Sequence, residues 1–556
     1  MKQLPIGVSD FKELIEGNYY FVDKTNLLKE IVQDGAKVKL FTRPRRFGKT
    51  LNMSMLRYFF DIKNAENHRK LFTGLDIRES SHFEKQGKYP VIYLSLKDIK
   101  EVSWKDCSRK IHKVLSDLFA EYKYLRDDFD QRDLKNFDGI WLEEADGNYF
   151  DALKDLSKYL SRYHEKKVVI LLDEYDTPMV SAYENGYYEE AMTFFRNFYS
   201  AALKDNVCLE LGVMTGILRV AKEGIFSGLN NLAVYSILDE RYSSYFGLTE
   251  MEVKEALSYY ELESNLQEVK EWYDGYCFGK IEIYNPWSII NYISNHKVGA
   301  YWVGTSNNFL VYDLLEKSGR DIFEDLRKIF QGSSLPKTLD YSFSFQDMRN
   351  PNEVWQLLTH SGYLKAEELG EKERYALSIP NREIYSFFEK SFLNRFLGGV
   401  DLFQEMIKEL KKENLLGFER KLQSILSHSM SYYDGSMQEK YYHNLVLGML
   451  LSLTKEYHVR SNQESGYGRY DLLLEPKRKE DTAYLFEFKV AKREEDLEKK
   501  AEEAITQMEE NHYDVELRER GIGKLLLLGI AFCGKKVKVK FLDKIKKCSI
   551  KEKNLL

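Results

Sequence analysis

The sequence predicts an α/β multidomain protein, and three observations carry that reading. Compact apolar runs alternate with helical patterns over the first 245 residues: "AKVKLF" (36–41), "KYPVIYLSL" (88–96), "KKVVILLDEYD" (166–176) and "VCLELGVMTG" (207–216). Runs apolar on both faces and separated by helices read as strands of a parallel sheet. The first run leads straight into "RPRRFGKT" (43–50), a glycine-lysine-threonine turn that opens the helical "KTLNMSMLRYFFDI". Near the other end, strand-like "YDLLLE" and "TAYLFEFKV" flank the polar "PKRKED", with acidic residues at matching positions.

The chain has 556 residues, too many for one core, and roughly 100–200 residues per domain suggests three or four units. The expected division is a phosphate-loop domain over 1–245, then a helical lid over 246–345 built on "KEWYDGYCFG" and "IYNPWSIINYI". A helix, turn and β-hairpin at 354–384 would suit a winged helix, within a segment 346–430 that ends in amphipathic linker helices. A second α/β core is expected over 431–556. No internal repeat or low-complexity linker marks the boundaries.

Hydrophobic residues at 43% and charged residues at 31% exclude a disordered chain. The net charge of −6 does not mark the whole chain as a nucleic-acid binder. From Lys535 onward the sequence is strongly basic, which fits either a phosphate-contacting edge or a solvated surface. Five dispersed cysteines without CxxC spacing point to reduced thiols and away from zinc. No signal-peptide core and no apolar span of membrane length are visible, so a cytoplasmic protein without a membrane segment is expected.

The phosphate loop departs from G-x-x-x-x-G-K-[ST] at its first position, where Arg43 replaces glycine. Pro44 holds Arg43 toward extended geometry. The candidate nucleotide contacts are Arg46, Gly48, Lys49 and Thr50. Gly48 permits close backbone approach, Lys49 supplies a cation for the β/γ oxygens, and Thr50 offers a hydroxyl to Mg²⁺. The helix beginning there points its positive end at the anion. Alone, "GKT" after a strand is a weak signal. "VVILLDEYD" strengthens it: Asp173 would hold Mg²⁺ through water, and Glu174 would orient an attacking water. A buried strand whose acidic end enters solvent would give the same pattern.

With both motifs in hand the chain resembles a known family. "RPRRFGKT" is similar to the loops of STAND-type and archaeal-type ATPases of the AAA+ class. "LPIGVSDFKELIEGNYYFVDKTNLL", "LLDEYDTPM", "GIFSGLNNL", "WYDGYCFG" and "IYNPWSI" resemble the bacterial AAA-ATPase-like family, whose members commonly end in a PD-(D/E)XK nuclease domain. The resemblance implies a P-loop NTPase fold that binds ATP and Mg²⁺. It places Thr215, at the end of "LELGVMTG", as a polar sensor of the γ-phosphate. Arg219 would contact phosphate in cis or from a neighbouring copy, since AAA+ relatives often form homo-oligomers.

At the C-terminal end Lys479 lies midway between Asp471 and Glu487, within the polar loop. Antiparallel pairing would then set the two carboxylates opposite each other, about 5.5 Å apart at Cβ. Alternation puts Glu487 and Lys489 on one face and Phe488 on the other. Two carboxylates beside a lysine make chemical sense around a Mg²⁺ that polarises a scissile phosphate, with Lys489 positioning the water. An exposed hairpin with an acid pair would look the same. The pattern resembles the PD-(D/E)XK core. Glu464 and Glu439 are further candidate ligands, and Gln507 and Tyr513 fall where recombination-type nucleases of that class carry a glutamine-and-tyrosine motif.

The expected function is an ATPase coupled to Mg²⁺-dependent cleavage of nucleic acid, DNA foremost. The rival is a nucleotide-dependent switch whose nuclease-like domain binds nucleic acid or a protein without cutting. A third reading keeps ATP binding but not turnover.

Overall fold

Segments with no polar face become strands of a parallel sheet, as the apolar runs require. In the computed structural model these are β1 (Val38–Thr42), β2 (Val91–Ser95), β3 (Val168–Asp173), β4 (Leu209–Gly216) and β5 (Leu232–Tyr235). The structure describes residues 1–220, 231–303, 332–340, 351–371, 373–388, 400–429, 456–465, 468–513 and 520–545, with a few isolated positions between them. Two compact units divide the chain, Met1–Tyr385 and Ser386–Leu556.

In the first unit the sheet runs in the order β2-β3-β4-β1-β5, with every pairing parallel. β5 escapes the sequence pattern because it is a four-residue edge strand, only half-buried throughout. The register aligns Phe41 with Thr215 and Ser95 with Asp173. The carboxyl ends of β1, β3 and β4 therefore meet at one edge of the sheet, where ligands of open α/β sheets bind.

Downstream, the helices Glu250–Tyr259, Leu266–Tyr273 and Pro286–Asn295 share a core of Val253, Leu257, Val269, Tyr273 and Tyr292. The hairpin β6 (Tyr276–Phe278)–β7 (Ile281–Ile283) lies between the last two. The helix Pro351–His360 precedes β9 (Lys365–Glu368) and β10 (Arg374–Ser378), the helix, turn and hairpin read from the sequence. A third strand, β8 (Leu335–Thr338), joins them in the antiparallel order β8-β10-β9.

The second unit holds a sheet of five strands in sequential order: β11 (Tyr457–Ser465), β12 (Gly468–Pro476), β13 (Ala483–Val490), β14 (Lys524–Cys533) and β15 (Lys536–Ile545). Only β13 and β14 are parallel, because the helix Leu497–Glu510 crosses between them. That helix covers one face, over Tyr470, Leu473, Leu485 and Leu527. The helices Val400–Lys411 and Leu415–Ser429 cover the other, packing Phe403, Leu410, Phe418 and Leu422 against Leu472, Phe486 and Leu528. The segment expected as one winged-helix and linker piece, 346–430, is thus split between the two units. Its amphipathic helices are apolar on one side because they close the core of this second sheet.

Glu383 is fully buried in the first unit. Its carboxylate accepts from Ser288 Oγ at 2.7 Å and from the amide of Trp302. Burial raises its pKa from 4.5 to about 7. The folded state therefore binds an extra proton between those values. The stability contributed is complete below about pH 4.5 and is lost as the pH rises toward 7, a change of about 3 kcal/mol. Urea titrations from pH 5 to 8 should show this decline in the wild type and lose it in Glu383→Gln; parallel profiles would contradict it.

Candidate active sites

β1 delivers the phosphate loop to the edge where β3 and β4 also end. Gly48 takes φ +81° and caps the helix Lys49–Phe60, a left-handed geometry that glycine adopts without strain. Buried Lys49 turns back across the loop and donates to the carbonyls of Arg43 at 3.0 Å and Pro44 at 2.8 Å. Burial lowers its pKa, opposed by Glu174, Asp176 and Asp173.

Thr50, Asp173 and Thr215 form one hydrogen-bonded line. Thr50 Oγ1 donates to Asp173 Oδ2 at 2.8 Å, and Thr215 Oγ1 donates to Oδ1. Asp173 is fully buried. Burial raises its pKa, and the two hydroxyls oppose that shift. Glu174 follows at φ +53°, a conformation uncommon for a glutamate and often found where a site needs it. Its amide donates to Thr215 Oγ1 at 3.4 Å.

Arg43 does not replace glycine by mimicking it. Its side chain leaves the loop entirely and is fully buried. The guanidinium donates to the carbonyls of Thr42 (2.9 Å), Tyr235 (2.8 Å) and Tyr242 (3.4 Å). It also lies over the rings of Phe246 and Phe278, at 5.0 and 5.3 Å. Burial lowers its pKa to about 9. Arg46 takes the positive φ that a loop glycine would otherwise supply (+66°), and its guanidinium stacks 4.4 Å from the Trp287 ring.

Two residues escaped the sequence reading. Asp176 stands at the N-cap of the helix Thr177–Asn185 but makes no cap bond. Its buried carboxylate instead accepts from the amides of Ile217 (2.7 Å) and Leu218 (2.9 Å). The Tyr175 hydroxyl donates to Leu218 O at 2.6 Å and accepts from Val220 N at 3.1 Å. Together they grip the backbone on both sides of Arg219. Nothing local in "DEYDTP" shows that the second aspartate reaches across to the residues that follow β4.

In the second unit the β12–β13 ladder pairs Leu472 with Phe486 and Leu474 with Tyr484, in the register expected. It stops one pair short of Asp471 and Glu487. The Asp471 carboxylate takes the Phe488 amide instead, at 2.8 Å, because the diverging strand leaves that donor unpaired. Glu487 is buried at 3% exposure. Its Oε1 accepts from Lys489 Nζ at 3.2 Å and from Gln507 Nε2 at 2.5 Å. Gln507 reaches it because Gly529, the β14 partner of Glu487, lets the helix sit close. A Cβ on Gly529 would stand 2.2 Å from Ala501 O.

Asp471, Glu487, Lys489 and Gln507 are thus brought together by one face of the sheet and its helix. Tyr513 stands in the core of this unit. It is buried and donates to Arg469 O at 3.0 Å, holding the start of β12. Glu439 and the side chain of Glu464 lie outside the described residues. Among the described residues of the basic terminus, Lys538 pairs with Glu419, Lys540 with Glu498 and Glu502, and Lys544 with Glu509. Among the described residues, Glu250, Asp274 and Glu282 bring three carboxylates close together, but Lys254 and Lys270 occupy Glu250.

Residues 5–226 match the model of a family described as a predicted AAA-ATPase (AAA-ATPase-like). Residues 437–542 match one described as the PD-(D/E)XK nuclease superfamily. A protein of Azotobacter chroococcum mcd 1, described as "Uncharacterized protein in vnfD 5'region", is 26% identical over 551 residues, covering 96% of each chain. The chain carries an AAA-ATPase-like domain followed by a domain of the PD-(D/E)XK nuclease superfamily. Among the described residues, no helix is long and apolar enough to cross a membrane.

Arg43→Gly restores the general loop pattern, yet it should destabilise the protein by roughly 3 kcal/mol or more, by removing three buried donors and leaving a cavity. Chemical denaturation reads this directly; unchanged stability would refute the anchoring role. Gly529→Ala should cost about 1–3 kcal/mol through overpacking. A crystal structure of that variant should show Gln507 withdrawn from Glu487.

Proposed function

We propose that the chain is an ATPase whose nucleotide state controls metal-dependent cleavage of nucleic acid, DNA foremost. The line Thr50–Asp173–Thr215 beside Lys49 supports the first half most directly. These side chains, from the helix after the phosphate loop and from the ends of β3 and β4, would surround a terminal phosphate. Lys49 would exchange its two loop carbonyls for phosphate oxygens. Glu174, fixed by its backbone conformation and by Thr177 Oγ1 at 3.2 Å, would orient the attacking water. Arg219 and Arg46 would add positive charge to the phosphates, Arg219 held in place by Tyr175 and Asp176.

The donor sets fit a divalent cation. Thr50 and Asp173 offer only oxygen, as do Asp471, Glu487 and the candidate Glu464, and oxygen donors suit a hard ion such as Mg²⁺. A bound ion would neutralise phosphate oxygens and acidify a coordinated water. In the second unit Lys489 would hold the attacking water or offset charge on the scissile phosphate. Gln507 would keep the Glu487 carboxylate in one orientation rather than read the nucleic acid itself.

Cleavage of linear and supercoiled DNA with Mg²⁺ or Mn²⁺, with and without ATP, tests both halves. Glu487→Ala should lose at least about two orders of magnitude in rate, and Lys49→Ala should lose ATP binding and any ATP effect on cutting. Nucleic-acid binding without cutting under either metal would replace this reading by the non-cleaving switch. ATP bound by the wild type but never hydrolysed would confine the first unit to sensing.

A further inference from the structure

Each residue from Arg43 to Phe47 is held by residues far downstream in the same unit. Arg43 is tied to Tyr235 and Tyr242 and covered by Phe246 and Phe278. Pro44 lies against Gly362, where φ is +86° and a Cβ would stand 2.9 Å from the proline Cβ. The carbonyl of Arg45 accepts from Trp302 Nε1 at 2.9 Å. Arg46 stacks on Trp287, and Phe47 packs edge-on against Tyr276, 5.1 Å between ring centres.

Trp302 stands out among these contacts because both of its nitrogens are used. The indole holds the loop, and the backbone amide donates to Glu383, whose other oxygen accepts from Ser288 Oγ. Trp302 is buried at 1% exposure. Behind Glu383, the segment's Pro380 carbonyl presses on Gly275, at φ +97°, where a Cβ would stand 2.1 Å away. A hydrogen-bonded path therefore runs from the loop backbone through one indole to a buried carboxylate two residues from the end of the unit at Tyr385.

We propose that Trp302, seated by Glu383, is a positioning residue of the phosphate loop that transmits nucleotide occupancy to residues 380–384. The inference rests on the reading that this loop binds ATP. Phosphate must compete with the carbonyls of Arg43 and Pro44 for Lys49, and the next carbonyl along the chain is the one Trp302 holds. Reorientation of the loop peptides changes the Trp302 hydrogen bond, and a packed, fully buried neighbourhood passes such a change on rather than absorbing it.

Hydrogen exchange on the full-length protein at pH 8, with and without ATP and Mg²⁺, tests this. Peptides covering 43–52, 300–303 and 380–384 should all change protection. A response confined to 43–52 overturns the relay while leaving ATP binding intact. No response anywhere removes the ATP-binding reading and the relay with it. Trp302→Phe keeps an aromatic ring but loses the donor; it should weaken ATP binding about tenfold and abolish the response at 380–384. A persistent response in that variant also overturns the proposal.

Discussion

A carboxylate buried without partners is among the costliest features a fold can carry, and Asp173 is buried completely. It is tolerable only because Thr50 and Thr215 each give it a hydroxyl hydrogen. That requirement locks three strand ends together: the loop after β1, the end of β3 and the end of β4. The aligned register of the parallel sheet makes the meeting possible, since Leu40, Met214 and Leu172 lie at the same level across neighbouring strands. The rest of the first site is organised around this line. Lys49 sits near three carboxylates, Glu174 is bent into an uncommon conformation, and Asp176 fastens the chain beyond β4.

The arginine at the head of the phosphate loop follows from the same need to satisfy buried groups. A glycine there would give freedom to the backbone and nothing to the neighbouring carbonyls. Arg43 instead supplies donors to the carbonyls of Thr42, Tyr235 and Tyr242. The loop's flexibility is exchanged for attachment, and the unusual conformation moves to Arg46 and Gly48. This attachment ties the loop to chain some two hundred residues away, so the phosphate loop and the downstream module form one packed body.

The second site shows a gentler dependence. Its carboxylates come from a register that the hairpin alone could establish, but their orientation does not. Gly529 admits the helix Leu497–Glu510 close to β14, and Gln507 thereby reaches Glu487 beside Lys489. Asp471 is oriented by the Phe488 amide that the strand pairing leaves over. The lysines of β15, whose sequence fits either a phosphate-contacting edge or a solvated surface, are engaged mainly by carboxylates on flanking helices.

The sequence by itself determined the parallel sheet, the loop-and-helix at Gly48–Thr50, the acidic end of β3, and the β12–β13 register. Each of these depends on periodicity or spacing within one short segment. It could not show β5, whose four half-buried residues carry no distinct pattern. Nor could it show that Arg43 turns away from the loop, that Asp176 serves β4 rather than its own helix, or that Tyr513 is a core residue. It assigned the helices at 400–429 to a linker, although their apolar faces close the second core. These features were decided only by tertiary structure, because each depends on which distant donor, acceptor or apolar face becomes a neighbour once the chain has packed.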